Sequence, residues 1–257
     1  MLPAERHRRI SALVDRVGTI STEDLAERLS VSAETVRRDL AQMERRGVLR
    51  RVRGGAASLA VVEGIGGEEA PYADRSESQI QAKTAIGAAA AALVHPGMTV
   101  VIDVGTTAVE IARALPLDFR GTVATPSLLV AGVVSALPHA SVLLPGGRLR
   151  GGDLVLSGPQ TSEFFSGLYA DLAFIGSGGV DASAGVTDFH FEEISAKKLM
   201  LANSALAYVV ADGSKWGRVA AHRVCAVDAC TGVITDASAA AEPVAAARER
   251  GCEVLVA

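Results

Sequence analysis

From Lys83 onward, short apolar runs alternate with stretches of helical spacing, and this alternation constrains the fold more than any other feature of the chain. The apolar runs are TVVID (99–103), TVAT (122–125), SVLL (141–144), LAFI (172–175), LAYVVA (206–211), GVIT (232–235) and EVLVA (253–257). Helical stretches occupy 80–94, 107–115, 127–137, 159–168, 190–203 and 240–250. A run that is apolar throughout suits a strand buried on both faces, and strands joined by helices pair in parallel. This pattern predicts a Rossmann-like α/β domain over residues 76–257. Apolar residues make up 49 % of the chain and aromatics only 4 %, so the core is expected to be built of Ala, Val and Leu.

The first 57 residues follow another plan. Ile10, Leu13, Val14 and Val17 recur at helical spacing until Gly18. Ser21 opens a second helix with Leu25, Ala26 and Leu29 inward, and Asp24 completes a short-acid version of the capping box. Ser32 caps a third, from Ala33 to Arg46, with Val36, Leu40 and Met43 inward and Gly47 at its end. LRRVRGGA then reads as a basic hairpin. Residues 58–75, rich in Gly, acids and small polar side chains, read as a linker.

Charge divides along the same line. Residues 1–58 carry twelve Arg against eight acids, a balance of +4, whereas 59–257 carry thirteen Lys/Arg against twenty-one acids, a balance of −8. A basic head on an acidic body suits nucleic-acid binding at one end, since phosphate contacts need local positive charge. Cys225, Cys230 and Cys252 lack metal-ligand spacing, so no metal or cofactor is expected. No run is long and apolar enough to span a bilayer and no leader pattern is present, so a soluble, cytoplasmic protein is expected.

Two short helices around the turn LSVSAE form a helix-turn-helix, whose second helix enters the major groove by its amino end. That end presents Glu34, Thr35, Arg37 and Arg38, and an arginine there is able to bridge guanine O6 and N7. Ser21, Ser32 and Thr35 are candidates for phosphate hydrogen bonds. Arg50, Arg51 and Arg53, with Gly54 and Gly55, are candidates to follow the DNA backbone or enter the minor groove. On these residues the segment 6–57 resembles the DNA-binding domain of the DeoR family of bacterial sugar-metabolism regulators: VSAETVRRDL is followed by Gly47 and RRVRGGA, with Arg53 where the family usually has His. The resemblance implies a winged helix-turn-helix whose partner is double-stranded operator DNA, in a homodimer or homotetramer.

The candidate effector site lies at the carboxyl ends of the strands, where open α/β sheets bind ligands. Asp103, Gly105, Thr106 and Thr107 close one strand and open a helix, offering free N–H groups and hydroxyls to an anion. Thr125, Gly146, Gly147, Arg148, Asp171, Gly176, Asp212 and Lys215 recur near other strand ends. Only four lysines occur (83, 197, 198 and 215), which marks Lys83, Lys197 and Lys215 as phosphate candidates in a chain that otherwise uses arginine. The stretch 75–257 resembles the DeoR-family effector domain through DVGTT, Gly146-Gly147, DLAFIG, Glu193 with Lys197, and DGSK, with Pro126 in place of the usual Asn. That domain is similar in fold to ribose-5-phosphate isomerase, so a sugar-phosphate isomerase with an accessory domain is the competing function. FIGSGGVD carries Ile175 and Gly178 where the enzyme has its acids, which removes the proton-transfer base. The expected function is therefore a repressor released by a phosphorylated sugar or polyol, without enzymatic activity; an activator that does not respond to a sugar phosphate is the further alternative.

Overall fold

A computed structural model describes residues 3–17, 19–29, 31–45, 48–52, 55–58 and 69–257. Gly18, Gly47, Arg53 and Gly54, singled out above, lie outside these residues. The chain divides into two units, 1–68 and 69–257.

In the first unit, helices α1 (Pro3–Val17), α2 (Thr22–Leu29) and α3 (Ala33–Arg45) surround a small antiparallel sheet. Its strands β1 (Thr19–Ser21), β2 (Leu49–Val52) and β3 (Gly55–Ser58) run in the order β1-β3-β2. The inward positions converge as their spacing predicts: Ile10, Val14, Leu25, Val36, Leu40 and Met43 are buried in one cluster, joined by Ile20, Leu49 and Ala56. Strand β1 was not expected from the sequence, and it explains Gly55. A Cβ there would stand 2.2 Å from the Ile20 carbonyl oxygen, so this glycine permits β3 to approach β1.

The second unit opens with helix α4 (Tyr72–Glu77), which begins within the stretch that composition marks as linker and runs two residues past it. There follow α5 (Ile80–Ala91), β4 (Thr99–Ile102), α6 (Thr106–Ala114), β5 (Gly121–Ala124), α7 (Leu128–Val134) and β6 (Ala140–Leu143). A hairpin of β7 (Arg148–Arg150) and β8 (Val155–Ser157) leads to α8 (Pro159–Ser166) and β9 (Ala170–Gly176). Strands β10 (Gly179–Asp181), β11 (Gly185–Asp188) and later β13 (His222–Cys225) form a small antiparallel sheet. Helix α9 (Phe191–Ala202), β12 (Ser204–Val210), a 3₁₀ turn (Gly213–Lys215), β14 (Gly232–Thr235), α10 (Ala241–Glu249) and β15 (Glu253–Val256) complete it.

All seven predicted strands pair in parallel in one sheet, in the order β15-β14-β12-β9-β4-β5-β6. Successive strand residues face opposite sides, and both sides are buried. In β9, Leu172 and Phe174 join one apolar cluster with Ile86, Ile111 and Val130, while Ala173 and Ile175 join another with Phe165, Ile194 and Val244. Truncating a residue such as Ile111, which has no exposed surface, costs about 2–5 kcal/mol. From β4 the chain proceeds outward to β5 and β6, then returns to β9 on the other side of β4. The order therefore reverses between β4 and β9, and such a switch point opens a crevice beyond the carboxyl ends of the strands.

Candidate functional site

In the N-terminal unit, α3 buries Val36, Leu40 and Met43, which turns the intervening residues outward. The side chains of Glu34, Arg37 and Arg38 are 60 %, 55 % and 80 % exposed, so the amino-terminal half of this helix presents them to solvent. Glu34 holds the two arginines, with Arg38 Nε donating to its Oε1 at 3.3 Å and Arg37 Nη1 at 3.7 Å from Oε2. Ser32 Oγ accepts the Thr35 N–H at 3.2 Å and Ser21 Oγ accepts the Asp24 N–H at 3.0 Å, so both serines cap their helices as the spacing predicts. Arg50 and Arg51 lie on β2, while their side chains, like Arg53 and Gly54, are outside the described residues. Gly55 is corrected from a DNA candidate to a packing position, because it is buried against Ile20.

Sequence reasoning missed Asp39, the acid of the RRDL motif. It is buried, and it takes two hydrogen bonds from Arg6 (2.5 and 3.0 Å) and lies 2.9 Å from His7 Nε2. Burial opposes its ionisation, but Arg6 and His7 outweigh that and hold the carboxyl below its usual range. Asp39 thereby ties α3 to α1 and fixes how the exposed arginines are presented.

In the C-terminal unit the switch point is closed by a charge cluster. Asp103 follows β4, and its Oδ2 accepts the Gly176 N–H at 2.9 Å from the end of β9. The Lys197 ammonium from α9 meets the same carboxylate, lies 2.9 Å from Asp188 Oδ2, and donates to the Gly176 carbonyl at 3.2 Å. Glu193, one turn earlier, stands 3.9 Å away. Burial works against charge on Lys197, but Asp103, Asp188 and Glu193 overcome it and raise its pKa. Asp103 and Gly176 each accept a hydrogen bond from the ammonium and Asp188 pairs with it, so Lys197 is already committed within the cluster. Glu193 fares differently: burial, with Asp188 and Asp103 adding to it, pushes its carboxyl up to about 7 against the pull of Lys197 and Arg150. Arg150 Nη1 lies 2.6 Å from Glu193 Oε1, out of line for a hydrogen bond, while its other nitrogens grip Asp153 at 3.0 and 2.5 Å.

Two residues past Asp103 the electrostatics change sign. Gly105, at φ +106°, starts α6, and no side chain caps the helix, leaving the first-turn N–H groups of Thr106 and Thr107 without a capping partner. Lys83 is buried here; its ammonium donates to the Arg75 and Ser78 carbonyls, which leaves one hydrogen. Burial lowers the pKa of both Lys83 and Lys215, partly offset in each by Asp212, and the Lys83 ammonium feels the charges of Lys215 and Arg75. A groove of about 320 Å³ leads away along α6, lined by Tyr72, Lys83, Thr106, Glu110, Arg113 and Leu129 among others.

The remaining candidates are placed as follows. Thr125 Oγ1 accepts the Ser127 N–H at 3.1 Å and shapes the turn into α7. Gly146 gives its carbonyl to Thr161 Oγ1 at 2.8 Å, and Gly147 (φ +139°) touches Ser157 so closely that a Cβ would lie 2.6 Å from that residue's carbonyl oxygen. Asp212 caps the 3₁₀ turn through the Ser214 N–H at 3.0 Å. Arg148 is 80 % exposed, 3.6 Å from Glu192. Asp171 is a correction. It begins β9, where its carboxylate accepts the Thr99 N–H at 2.8 Å, at the amino end of the sheet. Gly176 lies five residue steps further on, about 16 Å along the strand.

Two family profiles match this chain. The DeoR-like helix-turn-helix domain matches residues 6–61, and the DeoR C-terminal sensor domain matches residues 78–237. The chain belongs to the DeoR family. It is a DNA-binding transcriptional regulator. The glycerol-3-phosphate regulon repressor of Escherichia coli is 33 % identical over 239 residues, 92 % of each chain. The transcriptional regulator GlpR of Haloferax volcanii is 36 % identical over 220 residues, covering 85 % of this chain and 84 % of that one. Ribose 5-phosphate isomerase A of Methanocaldococcus jannaschii covers 54 % of this chain and 55 % of its own at 16 % identity and a TM-score of 0.40. A probable sor operon regulator of Shigella flexneri covers 68 % of this chain and 89 % of its own at 10 % identity and a TM-score of 0.42. Likenesses that weak bear on neither ligand nor mechanism.

For this DeoR-family regulator, the sequence reasoning also missed Asp188, Arg75, Arg150 and Asp153. The loss of acids from FIGSGGVD does not empty the switch point of carboxylates. Asp103, Asp188 and Glu193 all converge on Lys197, two of them brought in by β11 and α9 rather than by FIGSGGVD. Among the described residues no helix is long and apolar enough to cross a membrane.

Proposed function

We propose that this regulator is a cytoplasmic, homo-oligomeric repressor that leaves its operator when a small phosphorylated polyol, of the glycerol 3-phosphate class, binds the C-terminal unit. The observation that carries the effector half is the uncapped start of α6 at the switch point, beside the buried Lys83; burial lowers the pKa of Lys83 and of the half-buried Lys215. A phosphate there meets backbone N–H groups, a helix dipole and cations together. The groove of about 320 Å³ falls in the size range of small-molecule sites. Relatives named as glycerol-3-phosphate regulon repressors, in Escherichia coli and in Haemophilus influenzae at 32 % identity, favour this class over longer sugars.

The DNA half rests on the exposed Arg37 and Arg38. In an oligomer, two such helices occupy adjacent half-sites, and the effector alters their spacing. We also infer binding without turnover. The site has carboxylates, but Asp103, Asp188 and Glu193 are all buried around Lys197, which denies a substrate an accessible base.

The deciding experiment is a fluorescence-anisotropy titration of a duplex selected by the purified protein from random sequence. Glycerol 3-phosphate is expected to weaken the complex, while glycerol has no effect. A complex equally tight with and without glycerol 3-phosphate refutes the proposal.

A further inference from the structure

Glu69 is an acidic side chain seated among cations. Its Oε1 lies 2.9 Å from Arg75 Nη1, its Oε2 lies 3.2 Å from His190 Nε2, and its charge is felt by the Lys215 ammonium. The carboxylate and the guanidinium are only 14 % and 15 % exposed. Neither helix nor strand includes Glu69, so no backbone ladder dictates its position. Arg75 in turn reaches the start of α6, its Nη1 standing 4.0 Å from where a Cβ on Gly105 would be. Its remaining contacts are a 2.9 Å hydrogen bond from Nε to the Ala70 carbonyl, a 3.8 Å approach to Asp153 and the Tyr72 ring, 5.7 Å from the guanidinium carbon. Asp153 already has two hydrogen bonds from Arg150, so its claim on Arg75 is secondary.

An anionic group held by a guanidinium and an imidazole, with an ammonium nearby and an uncapped helix start alongside, is the coordination a phosphate monoester takes. Here the protein supplies the anion itself. We propose that Arg75 and His190 bind the effector's phosphate, and that Glu69 occupies this position in the unliganded protein as an internal competitor. A phosphate dianion outbids a carboxylate because it brings more charge and a third acceptor oxygen to the same donors. Glu69 must then leave. It is the first residue of the C-terminal unit. The inference rests on the reading that a phosphorylated ligand binds the C-terminal unit; what it adds is the identity of the cations and of the side chain they surrender.

Isothermal titration of the full-length protein with glycerol 3-phosphate, and separately with inorganic phosphate, tests it. Glu69→Gln keeps the shape of the side chain and removes its charge; it is expected to bind both anions about tenfold tighter than wild type. Arg75→Gln, shown folded by circular dichroism, is expected to bind both at least about tenfold more weakly. A salt bridge that merely holds the fold would give no gain in affinity when broken. If wild type binds glycerol 3-phosphate but Glu69→Gln binds it no tighter, the competitor role of Glu69 is refuted while the effector reading stands. If Arg75→Gln binds as wild type does, the assignment of Arg75 falls. Should wild type bind neither anion, both the inference and the effector reading fall.

Discussion

Replacing Glu193 by Gln isolates the electrostatic cost of the buried cluster. Three carboxylates, Asp103, Asp188 and Glu193, share Lys197, and burial has removed the water that would otherwise screen them. Glu193 absorbs the excess, its carboxyl rising from 4.5 to about 7. Below about pH 4.5 it is protonated in the folded and the unfolded chain alike. As pH rises, the unfolded chain releases this proton first while the folded chain retains it, so stability declines until the folded carboxyl also ionises near pH 7. A rise of roughly 2.5 units corresponds to about 3 kcal/mol lost across that window. Gln has no proton to release, so the variant lacks this decline. Trp216 is the only tryptophan, buried in the C-terminal unit with its Nε1 donating to Thr235 Oγ1, and its fluorescence follows this unit alone during urea unfolding. The stability of Glu193→Gln minus that of wild type is expected to grow by about 3 kcal/mol between pH 4.5 and pH 8. A difference that stays constant, or that shifts towards wild type as pH rises, refutes the reasoning, because Glu193 would then be an ordinary ionised partner of Arg150.

Asp39→Asn leaves the Arg6 guanidinium without its counter-charge and is expected to lower the stability of the N-terminal unit by about 3 kcal/mol at neutral pH; the depressed carboxyl pKa means that wild type loses this advantage as pH falls below the usual aspartate range, and calorimetric traces that coincide at pH 7 would contradict it. Gly105→Ala forces a side chain into φ +106°, ψ 174°, a region open essentially to glycine, and is expected to cost about 1–3 kcal/mol by Trp216-monitored unfolding. Arg37→Ala is expected to shrink the difference in affinity between a selected and a random duplex by about 1–3 kcal/mol, whereas Arg51→Ala is expected to weaken both duplexes alike and reduce the salt slope by about 1. Equal effects of the two substitutions on both duplexes would overturn that division of labour.

The parallel sheet was legible because burial on both faces leaves an uninterrupted apolar run, and each of the seven runs became a strand. The antiparallel strands β7, β8, β10, β11 and β13 were not. Several are as long as most of the parallel strands, but RLR, GVD, GVTD and HRVC carry charged residues within or at the end of the run, so no apolar run marks them. That loss extended to the site, since β11 delivers Asp188 and the β7–β8 hairpin delivers Arg150 and Asp153. Helix α4 was hidden for a related reason: six residues without a buried position have no apolar face to detect, so PYADRSE looked like linker and Arg75 was overlooked. Asp171 was misplaced because its neighbours in sequence end a strand that it begins. The scarcity of lysine proved a sound signal for unusual environments, as Lys83 and Lys197 are buried, but it did not separate a cation in demand from one already satisfied.

That separation is the physical basis of the site. On one side of the switch point Lys197 is surrounded by more negative charge than it neutralises, and Glu193 gives up its ionisation to balance the account. On the other side, beginning at Gly105, a helix start lies beside Lys83, and burial, only partly offset by Asp212, lowers the pKa of Lys83 and Lys215. Asp103 and Gly105 are two residues apart, so the deficits cannot be cancelled by moving one group without breaking the turn that joins β4 to α6. The carboxylate surplus locks the ends of β4 and β9 together through Gly176, which makes that side rigid. The cation surplus is met within the chain by Glu69, a residue outside any helix or strand, which makes that side exchangeable. An incoming phosphate therefore meets a fixed floor and a replaceable counter-ion, and in a sensor the replaceable one is the part that carries the signal.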